Sequence, residues 1–129
     1  MNVLLDTNAF LWQVQPGGGK LGPLAKDTMI SASKVYVSSI SIVEIHIKTM
    51  LGKLKSPIDL EKLVVESNDE VLSFDAKAAD QLRASKGLDR HDPFDRMILS
   101  HSLSEGIKLI TSDRTLLYLG LDSIIDATK

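Results

Sequence analysis

Short unbroken apolar runs alternate along the chain with stretches whose apolar residues recur at helical spacing, and that alternation sets the expected architecture. Asn2 to Leu5, Val35 to Val37, Val71 to Phe74, Lys108 to Thr111 and Ser123 to Ile125 read as strands. Runs this short, largely lacking polar alternation, suit strands covered on both faces of a parallel sheet. Between them, Ala9 to Val14, Leu24 to Ala32, Ser41 to Leu51 or Leu54, Ile58 to Ser67, Ala76 to Ser85, Pro93 to Glu105 and Thr115 to Tyr118 read as helices. Ser41-Ile42-Val43-Glu44 has capping-box spacing, and Pro57 falls near the first turn of its helix. Asp75 and Asp92 are placed to cap the helices that follow them, and Gly87 and Gly106 to end them. Strands alternating with helices predict an α/β protein: a three-layer α/β/α arrangement around a central parallel sheet, with 1–129 forming one domain.

The helix from Ser41 has an unusual pattern. At about 100° per residue, Val43, Ile47, Met50, Leu51 and Leu54 form one stripe, with Glu44, Lys48 and Lys55 together beside it. Ile42 and Ile45 lie away from that stripe. A helix apolar on two sides is buried between layers or covered by a partner.

Composition narrows the class. The 129 residues are 43% hydrophobic and 25% charged, ordinary for a soluble globular chain. No cysteine is present, which removes disulfides and thiolate zinc sites and fits a reducing cytoplasm. The N-terminus lacks the basic segment of a signal peptide, and no apolar run approaches the roughly 20 residues that span a bilayer. The net charge of −2 and few aromatic residues make nucleic-acid binding no default, so such a role must rest on local features.

Four carboxylates supply such a feature. Asp6 closes Val3-Leu4-Leu5, Glu44 falls at the start of a helix, Asp95 lies just inside the helix announced by Asp92-Pro93, and Asp113 follows Leu109-Ile110-Thr111-Ser112. Each has an ordinary reading as a turn former, cap or first-turn acid. Jointly they differ, because ligands in open parallel sheets sit beyond the carboxyl ends of the strands, where all four can meet. Carboxylates about 4 Å apart repel by roughly 4 kcal/mol per pair at an effective dielectric near 20, so gathering them calls for cations or protons. Oxygen-only donors suit Mg²⁺ or Mn²⁺, and Mg²⁺ commonly also binds phosphates. Lys48 and Lys55 beside Glu44, and Arg90 and Arg96 around Asp95, are candidate contacts to a nucleic-acid backbone; a solvated basic face is the alternative.

Other signals carry less. Gly17-Gly18-Gly19-Lys20 lacks phosphate-loop spacing and reads as a mobile loop near the crevice. His46, His91 and His101 share no ligand spacing, which predicts no histidine metal site. Ser38, Ser39 and Ser41 lack a nucleophile-elbow context and read as caps.

Leu4-Leu5-Asp6-Thr7-Asn8, the Ser39 to Glu44 helix start, the segment from His91 through Asp92-Pro93-Phe94-Asp95-Arg96-Met97 to Ile98, and Leu109-Ile110-Thr111-Ser112-Asp113 together resemble PIN domains. The resemblance is greatest to VapC-type toxins of type II toxin–antitoxin systems, and it covers essentially the whole chain. It implies an α/β/α PIN fold and a cytoplasmic, Mg²⁺- or Mn²⁺-dependent endoribonuclease with Asp6, Glu44, Asp95 and Asp113 as its acidic quartet. Asn8 and Thr111 resemble the polar residues that support such a quartet, and Asp92 the helix-start acid. A homodimer and a small cognate antitoxin are implied as well. Two other readings stay open: a receiver-like Mg²⁺-binding signalling domain with Asp75 as acceptor, and a PIN-like binding module without activity.

Overall fold

The computed structural model describes residues 1–55, 59–84, 88 and 90–129. Five strands, β1 (Asn2–Leu5), β2 (Lys34–Ser38), β3 (Glu70–Leu72), β4 (Lys108–Thr111) and β5 (Ile124–Asp126), form one sheet in the order β3-β2-β1-β4-β5. Every pairing is parallel, with Leu5 opposite both Val37 and Ile110. The helices are α1 (Thr7–Gln13), α2 (Pro23–Ser31), α3 (Ser39–Met50), α4 (Leu60–Glu66), α5 (Ala76–Asp80), α6 (Pro93–Glu105) and α7 (Arg114–Leu117). Short 3₁₀ turns at Pro16–Gly18 and Gln81–Ala84 follow α1 and α5.

The two-residue period of the strands divides the core in two. Val3, Leu5, Val37 and Ile110 point to one face, where Phe10, Ala25, Ile45 and Val64 cover them from α1, α2, α3 and α4. Leu4 and Leu109 point to the other, under Ile98 and Leu99 of α6 and Leu116 of α7. This is the expected α/β/α layering. Among the described residues no helix is long and apolar enough to cross a membrane.

Several boundaries differ from the sequence reading. Helix α3 begins two residues earlier: Ser38 is the cap, its Oγ accepting from the Ile40 amide, and Ser41 is buried inside the helix. Ser38 still pairs with Leu72 in the sheet, so the chain turns directly from strand into helix and the capping-box serine is not needed as a cap. The same helix ends at Met50, because Gly52, at φ 72°, turns the chain and its amide donates to Thr49. Lys55 therefore lies beyond the helix and not on a face shared with Glu44. Helix α4 starts after Asp59, whose side chain accepts from the Lys62 amide; Pro57 lies outside the described residues. Helix α5 is tighter and shorter than Ala76 to Ser85, passing into the 3₁₀ turn at Gln81, and Ser85 and Gly87 are outside the description. Strand β3 stops at Leu72, where the Phe74 amide turns to the Ser39 hydroxyl. Asp92 caps α6, and Gly106, at φ 65°, ends it as its sequence position predicts.

Candidate active site

Strand order places the site. From β1 the chain builds outward through β2 to β3, then crosses back to lay β4 against the other side of β1. The carboxyl ends of β1 and β4 therefore flank the point where the winding reverses, the usual ligand crevice of such sheets. Asp6 and Asp113 leave from those two ends.

Asp6 is only 4% exposed and is the most thoroughly tethered of the four. Its Oδ1 accepts from the Ala9 amide at 2.7 Å, capping α1. Its Oδ2 accepts from the Thr111 hydroxyl at 2.6 Å and the Ser112 amide at 3.3 Å. Burial raises its pKa, against the pull of these donors and with a smaller push from Glu44. Thr111 also accepts from the Asp113 amide at 3.0 Å, so one hydroxyl links the acids of β1 and β4.

Glu44, also 4% exposed, sits in the second turn of α3 rather than at its start. The extra turn carries it inward from the Ser38 cap. The Thr7 hydroxyl donates to its Oε1 at 2.6 Å and lies 2.9 Å from Ser41 Oγ, while Lys48 pairs with Oε2. Thr7 follows Asp6 directly, which ties two quartet members through adjacent residues. The lysine at i+4 is thus committed to a buried carboxylate, and this ion pair raises its pKa.

Asp95 and Asp113 form the more open half. Asp113 caps α7 through Oδ1, which accepts from the Leu116 amide at 2.9 Å. Asp92 caps α6, accepting from the amides of Phe94 and Asp95, and so acts at the helix start. Burial first, then the negative fields of Asp113, Asp92 and Glu44, push the Asp95 pKa up to about 8. Asp95 therefore feels Glu44 from α3 as well as Asp113 and Asp92.

Sequence spacing gave no metal role to His91, yet the structure brings it into the site. Its Nε2 lies 3.1 Å from Asp113 Oδ2 and 3.6 Å from Asp95 Oδ2. Ligand atoms of His91, Asp95 and Asp113 all fall within 4.8 Å of one another. The separation of four residues from Asp95 was a usable clue, but the chain is not yet helical at His91. Thr7 is a second missed member, hidden because hydroxyls near turns have so many local uses.

The remaining sequence candidates are placed as follows. Asn8 is exposed and, among the described residues, donates to none of the four acids. Lys55 and Arg90 are exposed; Arg96 is half-buried on α6. His46 is exposed and His101 is fully buried, its Nδ1 2.9 Å from Ser38 Oγ. The glycine-rich loop lies away from the carboxylates: Gly17 and Gly18 line a cavity with Ser33 and Asn68, at the opposite, amino-terminal edge of the sheet. Helix α1 runs back from the carboxyl edge and delivers the loop there. Asp75 caps α5 after the edge strand β3, two strands from β1, so it does not share a pocket with Asp6 as a receiver's acceptor would.

The geometry gathers acids at a sheet edge under hydroxyl and amide donors. The model of the PIN domain matches residues 3–120. The chain belongs to the PIN domain family. Its fold is similar to that of a DNA-bound VapBC complex from Salmonella typhimurium, at 27% identity and a TM-score of 0.65, covering 98% of each chain. VapBC2 from Rickettsia felis, bound to a promoter DNA fragment, is similar at 18% identity and a TM-score of 0.66, covering 97% of this chain and 96% of that one. FitAcB from Neisseria gonorrhoeae follows at 16% identity and a TM-score of 0.59, covering 97% of each. No curated protein sequence matches. The sequence resemblance to VapC-type PIN toxins therefore agrees with both family and fold. PIN domains are nucleases as a class, which makes a hydrolase acting on nucleic-acid phosphodiesters the coarse assignment.

Proposed function

We propose that this PIN domain is a divalent-metal-dependent endoribonuclease, the toxin of a type II toxin–antitoxin pair, with Asp6, Glu44, Asp95 and Asp113 as its metal-holding and catalytic acids. The convergence of these four carboxylates carries the reading. The donor set fits a hard cation: carboxylate oxygens, with one imidazole nitrogen from His91, and an Asp95 whose pKa is pushed up to about 8 by burial and then by its acidic neighbours. Asp6, Glu44, Asp95 and Asp113 would hold Mg²⁺ or Mn²⁺. Bound there, the cation would lower the pKa of a water nucleophile and neutralise charge on the scissile phosphate.

The chain's own residues do the positioning. Thr111 and the amides of Ala9 and Ser112 fix both oxygens of Asp6, so the carboxylate needs little reorganisation when substrate arrives. Thr7 and Lys48 hold the two oxygens of Glu44. His91, between Asp95 and Asp113, holds Nε2 within reach of both carboxylates. Arg90 and Arg96, next to His91 and Asp95 in the chain, are assigned to backbone contacts, with Asp92 fixing the start of α6.

The partner would be a small cognate antitoxin, as the VapBC likeness supports. The α3 stripe of Val43, Ile47, Met50 and Leu51 is exposed while Ile42 and Ile45 face the core, which supports a homodimer with this face covered. The whole chain would act as one domain in the cytoplasm.

The test is cleavage of end-labelled RNA by purified protein in Mg²⁺ or Mn²⁺, beside single-stranded DNA of the same sequence and the variants Asp6→Asn and Asp95→Asn. Metal-dependent RNA cleavage, abolished by EDTA and reduced to background in both variants, is expected. Equal cleavage by either variant removes the quartet from the mechanism. Preference for the DNA strand removes the ribonuclease assignment.

A further inference from the structure

At the amino-terminal edge of the sheet, remote from the acidic crevice, a cavity of about 490 Å³ opens between the end of α1, helix α2 and the starts of β2 and β3. That volume is within the range of sites that take small molecules or single anchoring groups. Leu21, Met29 and Ile30 give it an apolar wall, and Gln13 and Asp69 also line it. Asp69 is only 5% exposed. Among the described residues its sole side-chain partner is the Gln13 amide nitrogen, 3.3 Å from Oδ1. Asp69 Oδ2 and Gln13 Oε1 are both buried acceptors with no donor.

Unmet acceptors of this kind are rare in native interiors and costly, by about 1–3 kcal/mol for a neutral group and more for a charge. The local backbone enforces the arrangement. Asn68 takes φ 62° after α4, and the Asp69 amide donates back to Val64 at 3.1 Å, which turns the aspartate side chain inward. What the pocket lacks is a cation with several donors. We propose that it is an anchoring site for a guanidinium group, that of an arginine side chain on a partner polypeptide.

The chemistry discriminates among cations. Both acceptors are closed off from the cavity at rest, so a planar guanidinium donates to Asp69 Oδ2 and Gln13 Oε1 together as the two side chains turn toward it; it is more weakly hydrated than an ammonium and enters a half-apolar recess at lower cost. Its methylene stem would lie along Met29 and Ile30. Lys26, whose Nζ reaches the Gly17 carbonyl at 2.9 Å, stands at the rim as a ready contact for an acidic group beside that arginine. The raised Asp69 pKa, about 6 through burial, is what a carboxylate shows when its counter-ion is missing. The toxin reading bears on who supplies the arginine; the pocket chemistry stands apart from it.

The test is a two-dimensional NMR titration of the full chain with N-acetyl-L-argininamide, beside N-acetyl-L-lysinamide, agmatine and the variant Asp69→Asn. Saturable shifts of the Gln13 side-chain amide and the Asp69 backbone amide are expected with blocked arginine. Binding should be at least ~5-fold weaker for blocked lysine, and lost in Asp69→Asn. Metal-dependent cleavage of the RNA is expected to stay unchanged in that variant, so failure here and failure of the nuclease reading are separate results. No saturable shift, or equal shifts in Asp69→Asn, overturns the site. Tighter binding of agmatine than of blocked arginine overturns the polypeptide source.

Discussion

Two buried aspartates mark opposite edges of the same sheet, and nearly everything around them differs. Asp6, past the carboxyl end of β1, is met by three donors: two amides and a threonine hydroxyl. Asp69, before the amino end of β3, is met by one amide at 3.3 Å. Both pKa values are raised, and burial is the leading cause in each. The difference lies in what the structure has already supplied. At the carboxyl edge, helix starts and strand ends converge, so amide donors are plentiful and a carboxylate can be held in one orientation. At the amino edge helices end and present carbonyls, which cannot help an acid. An acid buried there stays in deficit until something cationic arrives.

Breaking the donor set at the carboxyl edge should have the largest effect. Thr111→Val keeps shape but removes the hydroxyl that donates to Asp6 and accepts from the Asp113 amide. Loss of such outer-shell partners typically costs about 10–100-fold in metal affinity or activity, and leaving buried groups unpaired costs about 1–3 kcal/mol. Manganese titration and initial cleavage rates should both fall in that range, with denaturant midpoints moving down. A variant with unchanged rates would mean that Asp6 does not need Thr111 to hold its orientation.

The opposite edge should respond with the opposite sign. The Asp69 pKa of about 6 lies above its unfolded value, so between about pH 4 and 6 the folded chain binds more protons than the unfolded one. Stability tied to this group is thus present on the acid side and lost as pH rises through 6, by up to about 3 kcal/mol. Asp69→Asn should remove that slope and raise stability at pH 7.5 by about 1–2 kcal/mol. Urea melts at pH 4.5, 6 and 7.5 would check it. A less stable asparagine variant at pH 7.5 would show that the charged form is already well satisfied.

How much of this was legible in the sequence follows from the range over which each feature is decided. Leu5-Asp6 and Thr111 through Asp113 could be read because a buried strand and its end are local patterns, and the parallel sheet then puts their ends together. The Asp92-Pro93 start and Gly106 stop of α6 are likewise local. The cap of α3 was not decidable locally: Ser38, Ser39 and Ser41 are all capable, and the choice falls to Ser38 because β2 runs up to it against Leu72. His91 approaches Asp113 across 22 residues, and Gln13 approaches Asp69 across 56, separations over which no spacing rule operates. The site's acids were therefore visible one by one, while the groups that tune them emerged only with the fold.

The smallest expected effect tests whether Lys48 belongs to the carboxyl edge's donor set or competes with its cation. Its ammonium pairs with Glu44 Oε2, while Thr7 already serves Oε1. If the lysine is a stand-in charge that holds the acid until metal arrives, Lys48→Met should strengthen Mn²⁺ binding by roughly 2–5-fold, since one positive charge near the site is removed at partial solvent exposure. Stability should fall by about 1–2 kcal/mol, because the buried Oε2 of Glu44 loses its partner. Calorimetric titration at fixed ionic strength would measure the first and urea melts the second. Weaker Mn²⁺ binding would instead place Lys48 with Thr111, as a group that orients its carboxylate, and would make both halves of the acidic crevice depend on fixed donors in the same way.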